Sequence, residues 1–127
     1  MTQHHPLKER NQKIVNEVLS IEGVGFCALV SREGMMMCSG FLEDEETIPV
    51  PSFAALSATM LASGGALTGM VCHGQMSSVV MNCENGYIVL VGAGKKALIS
   101  TFIDISVDLF QVKEELIAIA KRVGGDL

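Results

Sequence analysis

The stretch Val91 to Leu98, VGAGKKAL, decides between two folds. Read as a phosphate-binding loop it would make the chain a nucleotide enzyme, whereas read as a turn it joins two strands. A Walker loop needs a glycine five residues before the glycine of its Gly-Lys pair, a hydroxyl residue after the lysine, and a helix immediately behind. Here Val89 stands at the earlier position, Lys96 follows Lys95, and the next residues, ALISTFI, have the branched and aromatic composition of a strand. All three requirements fail, so Gly92-Ala93-Gly94-Lys95-Lys96 is a hairpin turn.

Upstream of this hairpin lie MSSVVMNC, the turn ENG and YIVLVG, with Asn85-Gly86 between apolar runs as a strong hairpin signal. Downstream, Val107 to Val123 is helical, with Leu109, Val112, Leu116, Ala120 and Val123 on one face. Ser106 can cap it, Asp108 falls in its first turn, Lys121 and Arg122 fall in its last, and Gly124-Gly125 stop it. Nearer the start, VGFCALVS and MMMCSGF flank Arg32-Glu33-Gly34, a further hairpin with glycine supplying the positive φ. Before it, Leu7 to Ser20 carries Ile14, Val15, Val18 and Leu19 at helical spacing among charges, and Gly23 ends that helix.

Between the two strand groups, Glu43 to Pro51 is an acidic loop closed by prolines, and Ser52 is suited to cap the long apolar helix that follows. Phe53, Leu56, Met60 and Leu67 share one face of that helix, which we assign to the sheet. Ala54, Ala58, Ala62 and Ala66, extended by Gly65 and Gly69, form the other, which would let a second helix approach closely. No charged residue occurs between Glu46 and Glu84, so length alone would permit a membrane span. Against insertion stand Ser52, Ser57, Thr59, Ser63 and Thr68, the Gly64-Gly65 pair, and the absence of flanking cations or an aromatic belt. A helix at a subunit interface is the reading adopted, with a helix buried inside one chain as the other option.

The 127 residues fit one domain, expected over residues 11–125 behind a flexible tail at 1–10. A net charge of -5 leaves no basic stripe for a row of phosphates, so nucleic acid is not an expected partner. The polar N-terminus lacks the apolar core of a signal peptide, and Cys27, Cys38, Cys72 and Cys83 form no paired motif. Reduced thiols in apolar runs point to the cytoplasm. His4 and His5 lack further ligands, and His73 next to Cys72 points away from it on an extended chain, so neither a metal nor a catalytic site is expected. Asp104 and Asp108 are explained by helix initiation, and no cofactor is implied.

The order α-β-β-α-β-β-β-α brings a resemblance with it. Ile21, Gly23 and Val24 before the first strand, Leu29-Val30-Ser31 within it and Gly34 at its turn resemble the opening signature of the Roadblock, dynein light-chain family. The small-residue helix, the Asn85-Gly86 hairpin and the closing helix fall where that family has them. The resemblance implies an α/β fold, a five-stranded antiparallel sheet with helices on both faces, that dimerises by joining sheet edges and pairing central helices. It also implies a non-catalytic, cytoplasmic regulator or scaffold for a small Ras-like GTPase, as a homodimer or a heterodimer with a related chain. The expected dimer interface is Ala54, Ala58, Ala62, Gly65, Ser77, Val79 and Met81, with the strand Met76 to Asn82 as the joining edge. The expected partner-binding patch is Glu43, Asp44, Glu45 and Glu46. None of Arg10, Arg32 and Arg122 sits in a recognisable finger loop, so any stimulated hydrolysis would use the GTPase's own residues. A small-ligand sensor and an adaptor indifferent to nucleotide state are the competing functions. The departures from the family are Pro49 and Pro51 before the central helix and the adaptable run Met35-Met36-Met37.

Overall fold

The structure, a computed structural model, describes residues 6–42 and 48–127. Its elements are α1 (Pro6–Leu19), β1 (Val24–Ser31), β2 (Met36–Phe41), α2 (Val50–Val71), β3 (Val79–Asn82), β4 (Gly86–Ala93), β5 (Ala97–Asp104) and α3 (Leu109–Gly124). The strands form one antiparallel sheet in the order β2-β1-β5-β4-β3. Alternation along each strand divides the side chains between two layers. Leu29, Val89, Val91 and Ile99 face α1 and α3, and Ala28, Val30, Leu90 and Leu98 face α2. The expected architecture and element order are those observed.

VGAGKKAL is a hairpin turn, pairing Ala93 with Ala97. Gly94 takes a φ of 71°, and the C-terminal end of α3 packs so closely on it that a β-carbon there would overlap the Gly124 carbonyl. Gly34, at a φ of 94°, makes the first hairpin as expected. The Asn85-Gly86 hairpin also forms, closed by the Cys83 amide on the Gly86 carbonyl at 2.8 Å. Its mechanism differs from expectation, because neither Asn85 nor Gly86 has a positive φ. Gly86 is needed for space: a β-carbon there would overlap the Ile103 carbonyl and the Phe102 ring.

The helix boundaries bring three corrections. Pro6 to Arg10, expected in a flexible tail, begin α1, and the Arg10 guanidinium donates to the Asp126 carbonyl. Ser52 does not cap α2. The helix starts three residues earlier, with Pro49 at the cap position, no side-chain cap, and Pro51 in the first turn, where its missing N–H costs nothing. At α3 the cap is Asp108 rather than Ser106, its carboxylate accepting from the amides of Phe110 at 3.1 Å and Gln111 at 3.4 Å. Asp104 accepts from the Ser106 amide at 2.8 Å, and bonds with Ser106 hold its carboxyl below the usual carboxylate range.

Candidate functional site

The central helix decides what this molecule can contact. α2 is apolar almost all round, yet it touches its own sheet through a narrow line of small residues. Ala54, Ser57, Ala58 and Leu61, at steps of three, one and three, are the positions of α2 buried against the sheet. They meet Phe26, Ala28, Val30, Leu90 and Leu98, while the Ser57 hydroxyl donates to the Ser100 hydroxyl oxygen at 3.1 Å in the interior. Small side chains let the helix axis come close to the strands, and Phe53 and Phe41 fill the space beside Phe26.

The expected orientation of the helix is therefore reversed. Ala54 and Ala58, predicted at a dimer interface, are buried within the chain and offer nothing to a partner. Leu56 and Leu67, predicted to face the sheet, are 65 % and 66 % exposed, and Met60 is 40 % exposed. Phe53 alone of that predicted face packs inward. Ala62 and Gly65 are exposed, as an interface requires.

On the outer face, Leu56, Met60, Ser63, Leu67 and Met70 recur at alternating steps of four and three. That spacing keeps a row on one side of a helix and is the pattern of a seam between two helices. With no charge anywhere on α2, the row forms a contiguous apolar strip of the kind soluble monomers rarely expose. Beside its C-terminal half runs β3, an edge strand shorter than the predicted Met76–Asn82 run because pairing begins only at Val79. Met76 and Val79 slide under α2 at Gly64, where a β-carbon would lie 3.0 Å from the Met76 sulfur. Val79 and Met81 are half-buried and Ser77 is exposed. Ala62 and Gly65 line a groove with Leu61, Met76 and Gly92, whereas Val79 and Met81 lie on β3, Ser77 lies just before it, and Ala54 and Ala58 are buried under α2.

Glu43, Asp44, Glu45 and Glu46 fall outside the described residues, as do His4 and His5. Among the described residues no group of three His, Cys, Asp or Glu side chains could hold a metal. The thiols are free, but an apolar run does not bury every one of them: Cys27 is buried, Cys38 half-buried, and Cys72 and Cys83 exposed. Burial pushes the Cys27 thiol well above its ordinary range, so it stays protonated. His73 and Cys72 are both exposed. By length and composition α2 could cross a membrane, but here it lies across the sheet as part of the domain's core.

A family profile described as the Roadblock/LC7 domain matches residues 10–101. Among solved structures, the chain is similar to an MglB described with a tetrameric arrangement, at TM-score 0.84 and 21% identity, covering 98% of this chain and 93% of that one. It is similar to the gliding protein MglB from Thermus thermophilus at TM-score 0.80 and 21% identity, covering 100% and 97%. A Roadblock/LC7 domain from Streptomyces avermitilis gives TM-score 0.75 at 15% identity, covering 96% and 98%. No curated protein matches the sequence significantly.

Proposed function

Because this chain belongs to the Roadblock/LC7 domain family, we propose that it is a dimeric, non-catalytic regulator or scaffold that binds a small Ras-like GTPase in the cytoplasm. The observation that carries the proposal is the uncharged strip Leu56, Met60, Leu67 and Met70 running beside the open edge of β3. A second copy, or a related chain, would cover both features at once by pairing α2 with α2 and β3 with β3. Ala62, Ser77, Val79 and Met81 stay in this interface and Leu56, Met60, Leu67 and Met70 replace Ala54 and Ala58, while Gly65, one turn beyond the buried Leu61, lies on the opposite side of α2 from that strip.

The role toward a GTPase rests on the family and on the fold shared with the gliding protein MglB. In a dimer, two copies of Glu43 to Glu46 would supply acidic patches suited to a basic partner surface. The chain holds no phosphate loop and no arginine in a finger loop, so its influence on hydrolysis would act by repositioning the GTPase's own groups.

The test is calorimetric titration of the chain into a Ras-like GTPase, once with GDP and once with a non-hydrolysable GTP analogue. Binding confined to the triphosphate form supports a reader of nucleotide state. Equal binding to both forms favours an adaptor, and binding to neither overturns the proposal.

A further inference from the structure

Where β3 begins, the sheet carries another unfilled edge. Hydrogen-bonded and non-bonded pairs alternate along an antiparallel ladder. The Cys83 amide on the Gly86 carbonyl marks 83 and 86 as a bonded pair, so residues 86, 88 and 90 of β4 turn their N–H and C=O groups toward β3. Gly92 is the next residue turned that way. Its partner would be Ser77, but β3 begins at Val79, and among the described residues no strand stands opposite Gly92. A groove of about 480 Å³ opens there, with Gly92 and Ser77 on its walls.

The groove has charged lips. Arg32 reaches across the α2 face of the sheet and lays its guanidinium over Gly92, where a β-carbon would come within 2.6 Å of it. The same guanidinium donates to the Gly94 carbonyl at 2.7 Å, a bond like those a neighbouring strand would make. Lys121 lines the groove from α3, on the opposite face. Both cations are exposed in a chain whose net charge is -5.

We propose that the open edge of β4 at Gly92 accepts a short extended acidic peptide as an added strand, with Arg32 and Lys121 each taking one carboxylate. Added strands gain affinity from main-chain hydrogen bonds and selectivity from their side chains. Successive side chains on a strand point to opposite faces. Since Arg32 and Lys121 lie on opposite faces, the two carboxylates belong on adjacent residues, not on alternate ones. The site is a property of the sheet edge and holds whether or not the chain binds a GTPase.

Two end-blocked isomeric peptides test it: Thr-Val-Glu-Glu-Val-Thr, with adjacent carboxylates, and Thr-Glu-Val-Glu-Val-Thr, with alternate ones. The readouts are fluorescence-detected binding to the full chain and amide hydrogen exchange at Gly92. The adjacent-carboxylate peptide should bind about tenfold more tightly than its isomer, and should slow exchange at Gly92. Arg32→Ala and Lys121→Ala, both at exposed positions, should each erase most of that preference. Equal binding of the isomers, no binding, or a Gly92 amide already as protected as that of Leu90 without peptide would each overturn the proposal.

Discussion

The two faces of the sheet are built from the same kinds of apolar residue but close in different ways. Under α1 and α3, Val15, Val18, Leu116 and Val123 interlock with Leu29, Val89, Val91 and Ile99, and the layer is sealed within one chain. Over the other face, α2 presses down through alanine, serine and a single leucine, and turns its larger residues outward. The first face spends its large side chains on the fold. The second leaves Leu56, Met60, Leu67 and Met70 at the surface, so one sheet is divided between a sealed side and an exposed one.

The most damaging test of that division is Leu116→Ala. Leu116 is fully buried, and its truncation should cost about 2–5 kcal/mol of stability in denaturant unfolding. A smaller effect on assembly, with folding intact, is expected for Leu67→Glu. An isolated charge in the α2 seam should weaken self-association by about 2–3 kcal/mol, seen as a shift to lighter species in sedimentation velocity, while secondary structure by circular dichroism is unchanged. If Leu67→Glu instead unfolds the chain, α2's outer face belongs to the fold and the comparison fails.

Asp108→Ala sharpens the picture of the sealed face. Removing the cap of α3 should cost about 1 kcal/mol in the same unfolding assay, because the amides of Phe110 and Gln111 lose their acceptor. The smallest perturbation is chemical. Under native conditions a maleimide should modify Cys72 and Cys83, which are exposed, and spare Cys27, which lies in the sealed layer with its thiol protonated. Modification of Cys27 at the rate of Cys72, followed by peptide mapping, would contradict the packing described for β1.

The contrast also explains what could be read in the chain beforehand. α1 and α3 alternate charged and apolar residues, so their buried faces, Ile14, Val15 and Val18 in one and Val112, Leu116, Ala120 and Val123 in the other, follow from periodicity. The strands were legible from their composition and from turns whose glycines are required. α2 has no such contrast. A helix apolar all round carries no phase, and the rule that large residues face the core gave the inverted orientation for Leu56, Met60 and Leu67. The step of four and three from Leu56 through Met70 could not correct it, because a stripe packed on a sheet has the same spacing, as Ala54, Ser57, Ala58 and Leu61 show. The edge at Gly92 was beyond periodicity altogether, since it depends on where β3 stops, and the branched residues near Val79 set that point only through pairing with β4.

Sedimentation velocity of the purified chain at micromolar concentration addresses the central claim that α2's outer face is covered by another chain. The account predicts a species with the mass of two chains, lost in Leu67→Glu and retained in Glu114→Gln, an exposed position of α3 on the other face of the sheet. A chain that sediments as a monomer throughout, with Leu56, Met60 and Leu67 left in water, would contradict it.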